Sequence, residues 1–520
     1  MPSSLAANST VLALSLTGAL VVYYVMVSKR RNGPPLPPGP SPTPIVGNIR
    51  GINASAPWLT YTKWAATYGD LVYSRLLNQE IIIINSEEVA RDLLDRRSHI
   101  YSDRPVIVTN KLIGLEFNSI FLRYGPKWRL HRRLLHQAFK QDTALSFHPM
   151  QLRKTHQLLR GLLESPQEYE EHLRLHSGSV IMSAVYNYET VPQGDPLVAV
   201  IDEAIAIAIE QIRPGAAVIL GAFPFILSLP SWFPGMSFKG RAATSRQNIT
   251  KWLKEPFQYV QERMSSGTYA PSMVSDALES WKNQDESGEV TAAIREAAAT
   301  AFMGQLSPPL PTASTVKVFV LAMVLYPDVQ ERAWLSIQSV IGDTRLPNFE
   351  DRASLPYIDA VLRETLRWHP IIPAGVPHAT YAEDVYNGYY IPKGAMILPN
   401  VWAMTRNEAK YPNPEEFKPE RFLDDNGALT DDTCSMAFGF GRRICVGRRL
   451  ADASLWSSMA LMLAAFKFSK QKDERGIDID FEPQWGSGVA THPLPFPCKI
   501  TPRHDGLDMG KLNDLIGASI

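Results

Sequence analysis

The first hydrophobic pattern in the chain is an uncharged apolar run over residues 11–27, followed directly by the basic cluster Lys29-Arg30-Arg31. Its length is near the minimum that spans a bilayer, about 17 to 25 residues. A cleaved signal peptide would carry its basic residues before a shorter apolar region, whereas here they follow it. The pattern predicts an uncleaved transmembrane helix in residues 1–31, with everything after it in the cytosol.

Prolines dominate the segment after this anchor, residues 32–48. Such a segment cannot be helical and favours stiff polyproline II, so it predicts a hinge that acts as a spacer. No long polar linker interrupts the chain beyond it. Residues 49–520 are therefore predicted to form one large catalytic domain.

Helical periodicity dominates the middle of the chain, residues 142–368, where proline and glycine break it into segments. Strands are scarce: a β-prone run at residues 81–84 comes just before a helical pattern that Ser86 could cap, and further β-prone patches occur at residues 385–391 and 396–401. The fold class predicted is mainly α-helical with minor β-sheets.

A strongly apolar segment, residues 216–235, contains several prolines and so cannot be a continuous membrane span. Three interpretations remain open. It could wall an apolar substrate channel, dip into the surface of a bilayer, or form a buried loop with short core helices.

The composition is that of an ordinary globular enzyme, with 520 residues, 45% hydrophobic and 20% charged. Basic and acidic residues both number 52, so no global charge favours a nucleic-acid partner. The three cysteines, Cys434, Cys445 and Cys498, form no C-x-x-C pair, which fits neither a disulfide framework nor a four-ligand zinc site.

Chemistry concentrates at Cys445, which lies just before a helical run that starts at Arg448. Backbone N–H groups at a helix N-terminus lower the pKa of a thiol, and the neighbouring Arg442 and Arg443 are expected to act in the same direction. A thiolate that binds iron is thus predicted. An inert buried cysteine is the alternative, but the surrounding glycine, arginine and aromatic residues argue against it.

The glycines of this segment, Gly439, Gly441 and Gly447, permit tight turns and would let the backbone approach a flat macrocycle closely. The whole pattern, F-x-x-G-x-R-x-C-x-G, resembles the haem-binding signature of the cytochrome P450 superfamily. The resemblance implies haem b (iron protoporphyrin IX) with Cys445 as the axial thiolate of the iron. It also implies Phe438 packed near the ligand loop and Arg443 paired with a haem propionate.

An acid and an arginine at Glu364 and Arg367 share one face of a helix, where they can pair. The same spacing recurs at Glu88–Arg91, Glu171–Arg174 and Glu210–Arg213, so the spacing alone indicates little. Only the first pair precedes a segment, residues 419–422, that resembles the family's meander. The resemblance implies that Arg421 completes a structural Glu-Arg-Arg network beneath the haem-binding core.

Three further residues resemble family positions that contact haem propionates. Trp128 and Arg132 form W-x-x-x-R on a predicted helix, for which an amphipathic surface helix is the alternative. His378 matches a position where relatives place a propionate-contacting His or Arg, although a satisfied loop histidine explains it nearly as well.

The chain departs from the family in its central helix, which normally carries an acid and a threonine beside the oxygen-binding face. No Asp or Glu occurs in residues 297–327, and three prolines occur in residues 308–311. Since an interior proline costs about 3 kcal/mol, the helix should break here. Thr312 is a candidate catalytic threonine, although the acid that usually accompanies it is missing. The insertion also resembles a translated intron end, which sequencing of the transcript tests.

The resemblance to membrane-bound fungal microsomal members implies an O2-dependent monooxygenase on the cytosolic face of the endoplasmic reticulum membrane. Its substrate would be an apolar small molecule in secondary metabolism or xenobiotic oxidation. Electrons would come from NADPH through a separate NADPH-cytochrome P450 reductase. Two alternatives remain: a haem-thiolate protein with impaired O2 activation (an isomerase, a dehydratase or an inactive enzyme), and a non-enzymatic, membrane-tethered binder of apolar ligands.

Overall fold

The computed structural model describes residues 18, 33–191, 194–211, 219–306 and 311–519; for residues 202, 205–211 and 304–306 only the backbone is considered. The predicted anchor, residues 11–27, therefore lies outside the described residues except for Gly18. Within the described ranges, no single helix is both long and apolar enough to cross a membrane. The bent pair Pro311–Leu325 and Pro327–Ile341 meets that test only together, with 106° between the two helices.

The described chain is mainly helical, as predicted, with small sheets. Its α-helices are α1 Pro57–Tyr68, α2 Glu87–Ala90, α3 Ser98–Tyr101, α4 Val108–Ile113, α5 Pro126–Phe139, α6 Gln141–Ser146, α7 His148–Glu164, α8 Tyr169–Tyr186, α9 Pro196–Gln211, α10 Phe238–Ser265, α11 Met273–Trp281, α12 Glu289–Leu306, α13 Pro311–Leu325, α14 Pro327–Ile341, α15 Pro356–Trp368, α16 Val401–Met404, α17 Arg448–Ala465 and α18 Met509–Gly517. A π-helix, Arg91–Arg96, continues α2. Short 3-10 helices span Ile49–Gly51, Pro166–Glu168, Pro224–Ser228, Arg352–Ser354, Pro419–Phe422, Ser435–Phe438 and Gly441–Arg443.

Local sequence signals mark several helix ends. Helices α5, α14 and α15 begin with Pro126, Pro327 and Pro356, because a proline at the first position loses no helical hydrogen bond. The Ser86 side chain accepts a hydrogen bond from the Val89 N–H and caps α2, as predicted. Gly114, in the left-handed conformation, ends α4.

Strands lie mostly in one four-stranded sheet with the order β1-β2-β6-β3. Its strands are β1 Leu71–Leu76, β2 Gln79–Ile84, β3 His378–Ala379 and β6 Met396–Pro399. Two further sheets have two antiparallel strands each: β4 Asp384–Tyr386 pairs with β5 Tyr389–Ile391, and β7 Phe466–Lys470 pairs with β8 Cys498–Pro502. Strand β2 pairs antiparallel with β1 and parallel with β6, Ile81 opposite Met396. The patch predicted at 81–84 is thus a strand. The patch at 385–391 forms two strands joined by a turn at Asn387 and Gly388, and the patch at 396–401 is a strand only to Pro399.

Two large apolar clusters form the core. The first joins the four-stranded sheet to α7, α13, α15 and α17, and the second lies among α4, α5, α8, α10 and α12. The segment 438–447 reaches both, because Phe438 packs against the first cluster and Val446 against the second. The cysteine loop is therefore fixed where the two cores adjoin.

The proline-rich segment is docked against the sheet from Pro35 on. The Pro35 carbonyl accepts a hydrogen bond from the Tyr390 N–H at 2.7 Å, and the Pro38 carbonyl accepts one from the Tyr73 N–H at 2.9 Å. This part of the predicted hinge consequently lies along the domain and does not stand off it as a free spacer.

Aromatic side chains in the apolar segment face outward over its described part, residues 219–235. Phe225 is 65% exposed and Trp232 79% exposed. The interpretation as a buried core loop is therefore wrong for these residues. An exposed aromatic surface of this kind is typical of a contact with lipid or with another apolar surface.

Candidate functional site

The loop that carries Cys445 is held between a 3-10 helix and α17. The 3-10 helix ends at Phe438, and Gly439 follows with φ +81°, a conformation that favours glycine. The Cys445 N–H then donates a hydrogen bond to the Phe438 carbonyl at 2.8 Å. This hydrogen bond closes the loop and places Phe438 beside the cysteine, as predicted. Helix α17 begins three residues after Cys445, at Arg448.

The Cys445 side chain is exposed, although many protein atoms lie around it. Burial raises the pKa of the Cys445 thiol above its ordinary value. The Gly447 N–H, Arg132 and Arg448 act in the opposite direction without outweighing burial. The predicted lowering of the thiol pKa is thus wrong for the protein alone, and a cationic partner is needed to hold the sulfur as a thiolate.

Arg442 and Arg443, which were expected to act on the thiol, point elsewhere. Arg442 donates to the Tyr124 hydroxyl. Arg443 donates to the carbonyls of Ser102 at 2.8 Å and Leu122 at 2.8 Å, and its guanidinium stacks on Trp128 at 4.2 Å. Their charges are therefore used to fix the surrounding loops.

Several cations gather around Arg443 without a matching set of acids. Arg104 is buried and donates to the carbonyls of Ile120 and Val376, and burial together with Arg443 holds its pKa well below the ordinary value. Burial lowers the pKa of Arg443 itself to about 9. Buried cations of this kind are stabilised when an anion binds beside them.

Arg132 and His378 complete this set. Arg132 on α5 donates to the Ile444 carbonyl at 2.7 Å, directly before Cys445, and burial lowers its pKa. Nδ1 of the buried His378 ring lies 2.9 Å from the Tyr101 carbonyl oxygen. Burial, and secondly the charge of Arg104, hold the pKa of His378 well below its ordinary range. The structure thus brings Trp128, Arg132, Arg443 and His378 together, and Arg104 joins them. Their contact with haem propionates stays a prediction.

The contacts predicted for the Glu-Arg-Arg network are present. Arg367 donates to both Glu364 carboxylate oxygens, at 2.6 and 2.8 Å, with both side chains fully buried. Arg421 donates to the same carboxylate at 3.1 Å. Because Arg367 also bonds the carbonyls of Thr405, Pro414 and Glu416, the network fixes α15 to the segment before the cysteine loop.

One of the three glycines, Gly441, acts differently from the expectation. Gly441 has φ +56°, and a Cβ there would lie 1.9 Å from the Leu94 carbonyl oxygen, so its close approach is to the π-helix and not to a ligand. Gly447 has an ordinary φ, and a Cβ added there would meet no atom within 4 Å. Gly447 and Gly439 therefore border open space beside the loop, where a flat ligand can approach.

The sequence profile of the cytochrome P450 family matches residues 37–500. The chain belongs to this family. It is similar to the cytochrome P450 monooxygenase claR of Ampulloclitocybe clavipes (38% identical, covering 95% of this chain and 89% of the relative). It is also similar to the cytochrome P450 monooxygenase ple1 of Rhodocybe pseudopiperita (36%, covering 94% of each). Cytochrome P450 monooxygenase 208 of Postia placenta is 38% identical and covers 94% of each chain.

Members of the family bind haem b through a cysteine thiolate, and the residues of this P450 fit that group. Haem offers iron to a sulfur and two carboxylates to cations. Cys445 has an exposed side chain, and three arginines, the buried Arg104 and the half-buried Arg132 and Arg443, form a cationic cluster nearby together with the buried His378 ring. Within the described residues, no group of three or more His, Cys, Asp or Glu is placed to hold a metal ion.

The central helix of this P450 is described as α12 up to Leu306 and as α13 from Pro311. The helix break that the prolines predict falls between these two residues. Residues 307–310 of the insertion lie outside the described residues. Thr312 is buried and lines a small cavity with His176 and Ser177 of α8 and Ser454 of α17. The structure thus places Thr312 among the helices that pack beneath the cysteine loop, and its catalytic role stays a prediction.

Sequence reasoning missed Arg104, which donates to three backbone carbonyls and adjoins Arg443. It lies in a loop without hydrophobic periodicity, so nothing in the local pattern distinguishes it from an exposed arginine. The only sequence signal is the following Pro105, which removes one backbone donor and fixes the loop.

Proposed function

We propose that this protein is a membrane-associated monooxygenase that inserts one oxygen atom of O2 into an apolar small molecule, with Cys445 as the iron ligand. Bound haem would supply the iron chemistry. Cys445 would bind the iron, and the Gly447 N–H would stabilise the charge on the sulfur. Arg104, Arg132, Arg443 and His378 would bind the propionates. The observation that carries the proposal is an exposed Cys445 side chain whose loop adjoins a cluster of arginines.

Electrons would come from NADPH through a separate NADPH-cytochrome P450 reductase. The support is a cationic surface beside the cysteine loop: Arg129 and Arg133 on α5 are exposed, as are Arg442 and Arg449. Arg132, on the same helix, bonds Ile444 and so ties this surface to the loop. A surface of one charge favours fast encounter with an acidic redox partner.

The membrane of the endoplasmic reticulum is the proposed location, with the domain in the cytosol. Its support is the apolar run over residues 11–27 and the exposed aromatic residues Phe225 and Trp232. A substrate that partitions into lipid fits this placement. The relatives are named as monooxygenases, and secondary metabolism or xenobiotic oxidation is the proposed context.

The absorption spectrum of the reduced protein with carbon monoxide tests the proposal. We expect a strongly red-shifted Soret band in the full-length protein and its loss in Cys445→Ala. Cys498→Ala is the matched control, since Cys498 is only half-buried and lies on the distant strand β8. A Cys445→Ala protein with unchanged pigment and turnover would contradict the assignment, and a protein purified without any haem would favour the non-enzymatic binder.

A second candidate is a haem-thiolate protein with impaired O2 activation. It is favoured by the three prolines in residues 308–311 and by the lack of an acid in residues 297–327. Uncoupled NADPH oxidation together with peroxide-supported product would support this candidate. Tight coupling of NADPH oxidation to product would exclude it.

A further inference from the structure

A continuous path of polar side chains connects α12 to α5 and the loop between α4 and α5. The Glu296 carboxylate lies 3.2 Å from His131 Nε2, and His131 Nδ1 lies 2.8 Å from the Ser119 hydroxyl oxygen. The Ser119 hydroxyl and N–H in turn approach the Thr300 hydroxyl at 3.4 and 3.1 Å. A carboxylate, an imidazole and a hydroxyl group thus follow one another: the first contact is an ion-pair distance, and the second has the geometry of a hydrogen bond.

One end of this path is open to solvent, and the other end is buried. Lys127, 2.7 Å from the Glu296 carboxylate, is 52% exposed, and the Glu296 side chain is 17% exposed. His131 is fully buried. The Ser119 carbonyl accepts a hydrogen bond from Arg443 at 3.2 Å, so the inner end adjoins the cationic cluster described above.

The charge of Glu296 is maintained in spite of its partial burial. Burial raises the pKa of this carboxyl, but hydrogen bonds from His131 and Lys127 outweigh burial and lower it overall. The charged groups that face the path are therefore Lys127 from α5 and Arg443 from the cysteine loop, with Glu296 between the solvent and His131. An anionic carboxylate at the outer end attracts protons from solvent.

The monooxygenase reaction consumes protons with O2, yet α12 and α13 contain no acid after Glu296. We propose that Glu296, His131 and Ser119 form a proton relay that supplies the buried side in place of an acid farther along the helix. This inference rests on the monooxygenase function proposed above. Ser119 passes its hydroxyl proton to the Thr300 hydroxyl and takes one from His131 Nδ1, while His131 Nε2 takes one from the Glu296 carboxyl, which solvent reprotonates. Thr300 releases its own hydroxyl proton to the substrate side, where the reaction consumes it. One proton moves, and no group is oxidised or reduced.

Two nearly isosteric variants remove the proton carriers without removing the side chains. We expect His131→Asn and Glu296→Gln each to lower NADPH-supported product formation by about 10²-fold, the lower end of what a positioned proton donor contributes. Product formation supported by H2O2 should stay at the wild-type level, because peroxide brings its own protons. His156→Asn is the matched control, since His156 is also a buried histidine but lies on α7, outside the path.

The haem-free protein provides a readout that does not depend on turnover. The infrared carboxyl band that disappears in Glu296→Gln should titrate at higher pH in His131→Asn, because a hydrogen bond that lowers the pKa is lost. The thermal unfolding temperature should stay unchanged in His131→Asn. An unchanged titration of the Glu296 band overturns the relay at its outer link.

The outcomes separate the relay from the function on which it rests. A wild-type protein that binds haem but forms no product with NADPH overturns the proposed function. A wild-type protein that forms product, together with His131→Asn at the same yield per NADPH, overturns the relay alone. An equal loss of NADPH-supported and H2O2-supported product, with a lower unfolding temperature, assigns the path a purely structural role and also overturns the relay.

Discussion

The buried pair of Glu364 and Arg367 allows a sharp test of what burial does to an ion pair. Another pair on this chain, Glu171 and Arg174, has the same i,i+3 spacing and the same two-bond geometry, with N–O distances of 2.8 and 2.6 Å. Both members of the first pair are fully buried, and Arg421 also donates to Glu364, whereas the side chains of Arg174 and Glu171 are 34% and 49% exposed. The second pair is therefore a built-in control.

Replacement of Glu364 by glutamine leaves the Arg367 charge buried and without its carboxylate. Breaking a buried pair in this way costs about 3–5 kcal/mol, whereas an exposed pair contributes about 0–1 kcal/mol. An unfolding entropy of about 2.1 cal/mol/K per residue gives roughly 1.1 kcal/mol/K for the whole chain. Glu364→Gln should consequently lower the unfolding temperature by about 3–5 °C and Glu171→Gln by less than about 1 °C.

Scanning calorimetry of the two variants beside the wild type measures this difference. Haem content, taken from the absorption spectrum of the same samples, should fall only in Glu364→Gln, because Arg367 ties α15 to the segment before the cysteine loop. If the two variants unfold within about 1 °C of each other, burial does not decide the strength of the pair, and the reasoning fails.

Three further changes have defined outcomes. Gly441→Ala should lower the free energy of unfolding, measured with denaturant, by at least about 1–2 kcal/mol, because φ is +56° and an added Cβ would clash with the Leu94 carbonyl oxygen. Gly447→Ala is the control and should not destabilise the fold. Brominated lipids should quench a tryptophan fluorescence component that is absent from Trp232→Phe; equal quenching of both would contradict membrane contact. Burial, aided by Arg160, lowers the pKa of His156 from 6.5 to about 4. The unfolded chain therefore binds a proton at a higher pH than the folded chain does. The free energy of unfolding should decline as the pH falls from 6.5 to 4, by up to about 3 kcal/mol, and His156→Asn should reduce this decline.

Features that depend on nearby residues were predictable from the sequence. The strand at residues 81–84 and the helix capped by Ser86 follow from local composition, and the cysteine loop follows from a motif ten residues long. The Glu364–Arg367 contact was predicted from spacing and order along the chain. Its full burial is a property of the folded core that spacing alone does not reveal.

Features that depend on distant residues were missed. Strands β7 and β8 are five residues each, and each is stabilised by a partner about thirty residues away, so neither has a strong local signal. The pKa of Cys445 was misjudged because Arg442 and Arg443 are neighbours in sequence but bond elsewhere, while Arg132 on α5 lies beside the loop. Side-chain direction is decided by tertiary contacts, which the sequence does not display.

The parallel pairing of β2 with β6 has a consequence for synthesis of the protein. Ile81 pairs opposite Met396, so these strands are about 315 residues apart in the chain. At about 5–20 residues per second, the ribosome delivers the second strand roughly 15–60 seconds after the first. For that time the isoleucine-rich edge of β2 has no partner beyond β1, which makes the nascent chain prone to aggregation and a substrate for chaperones.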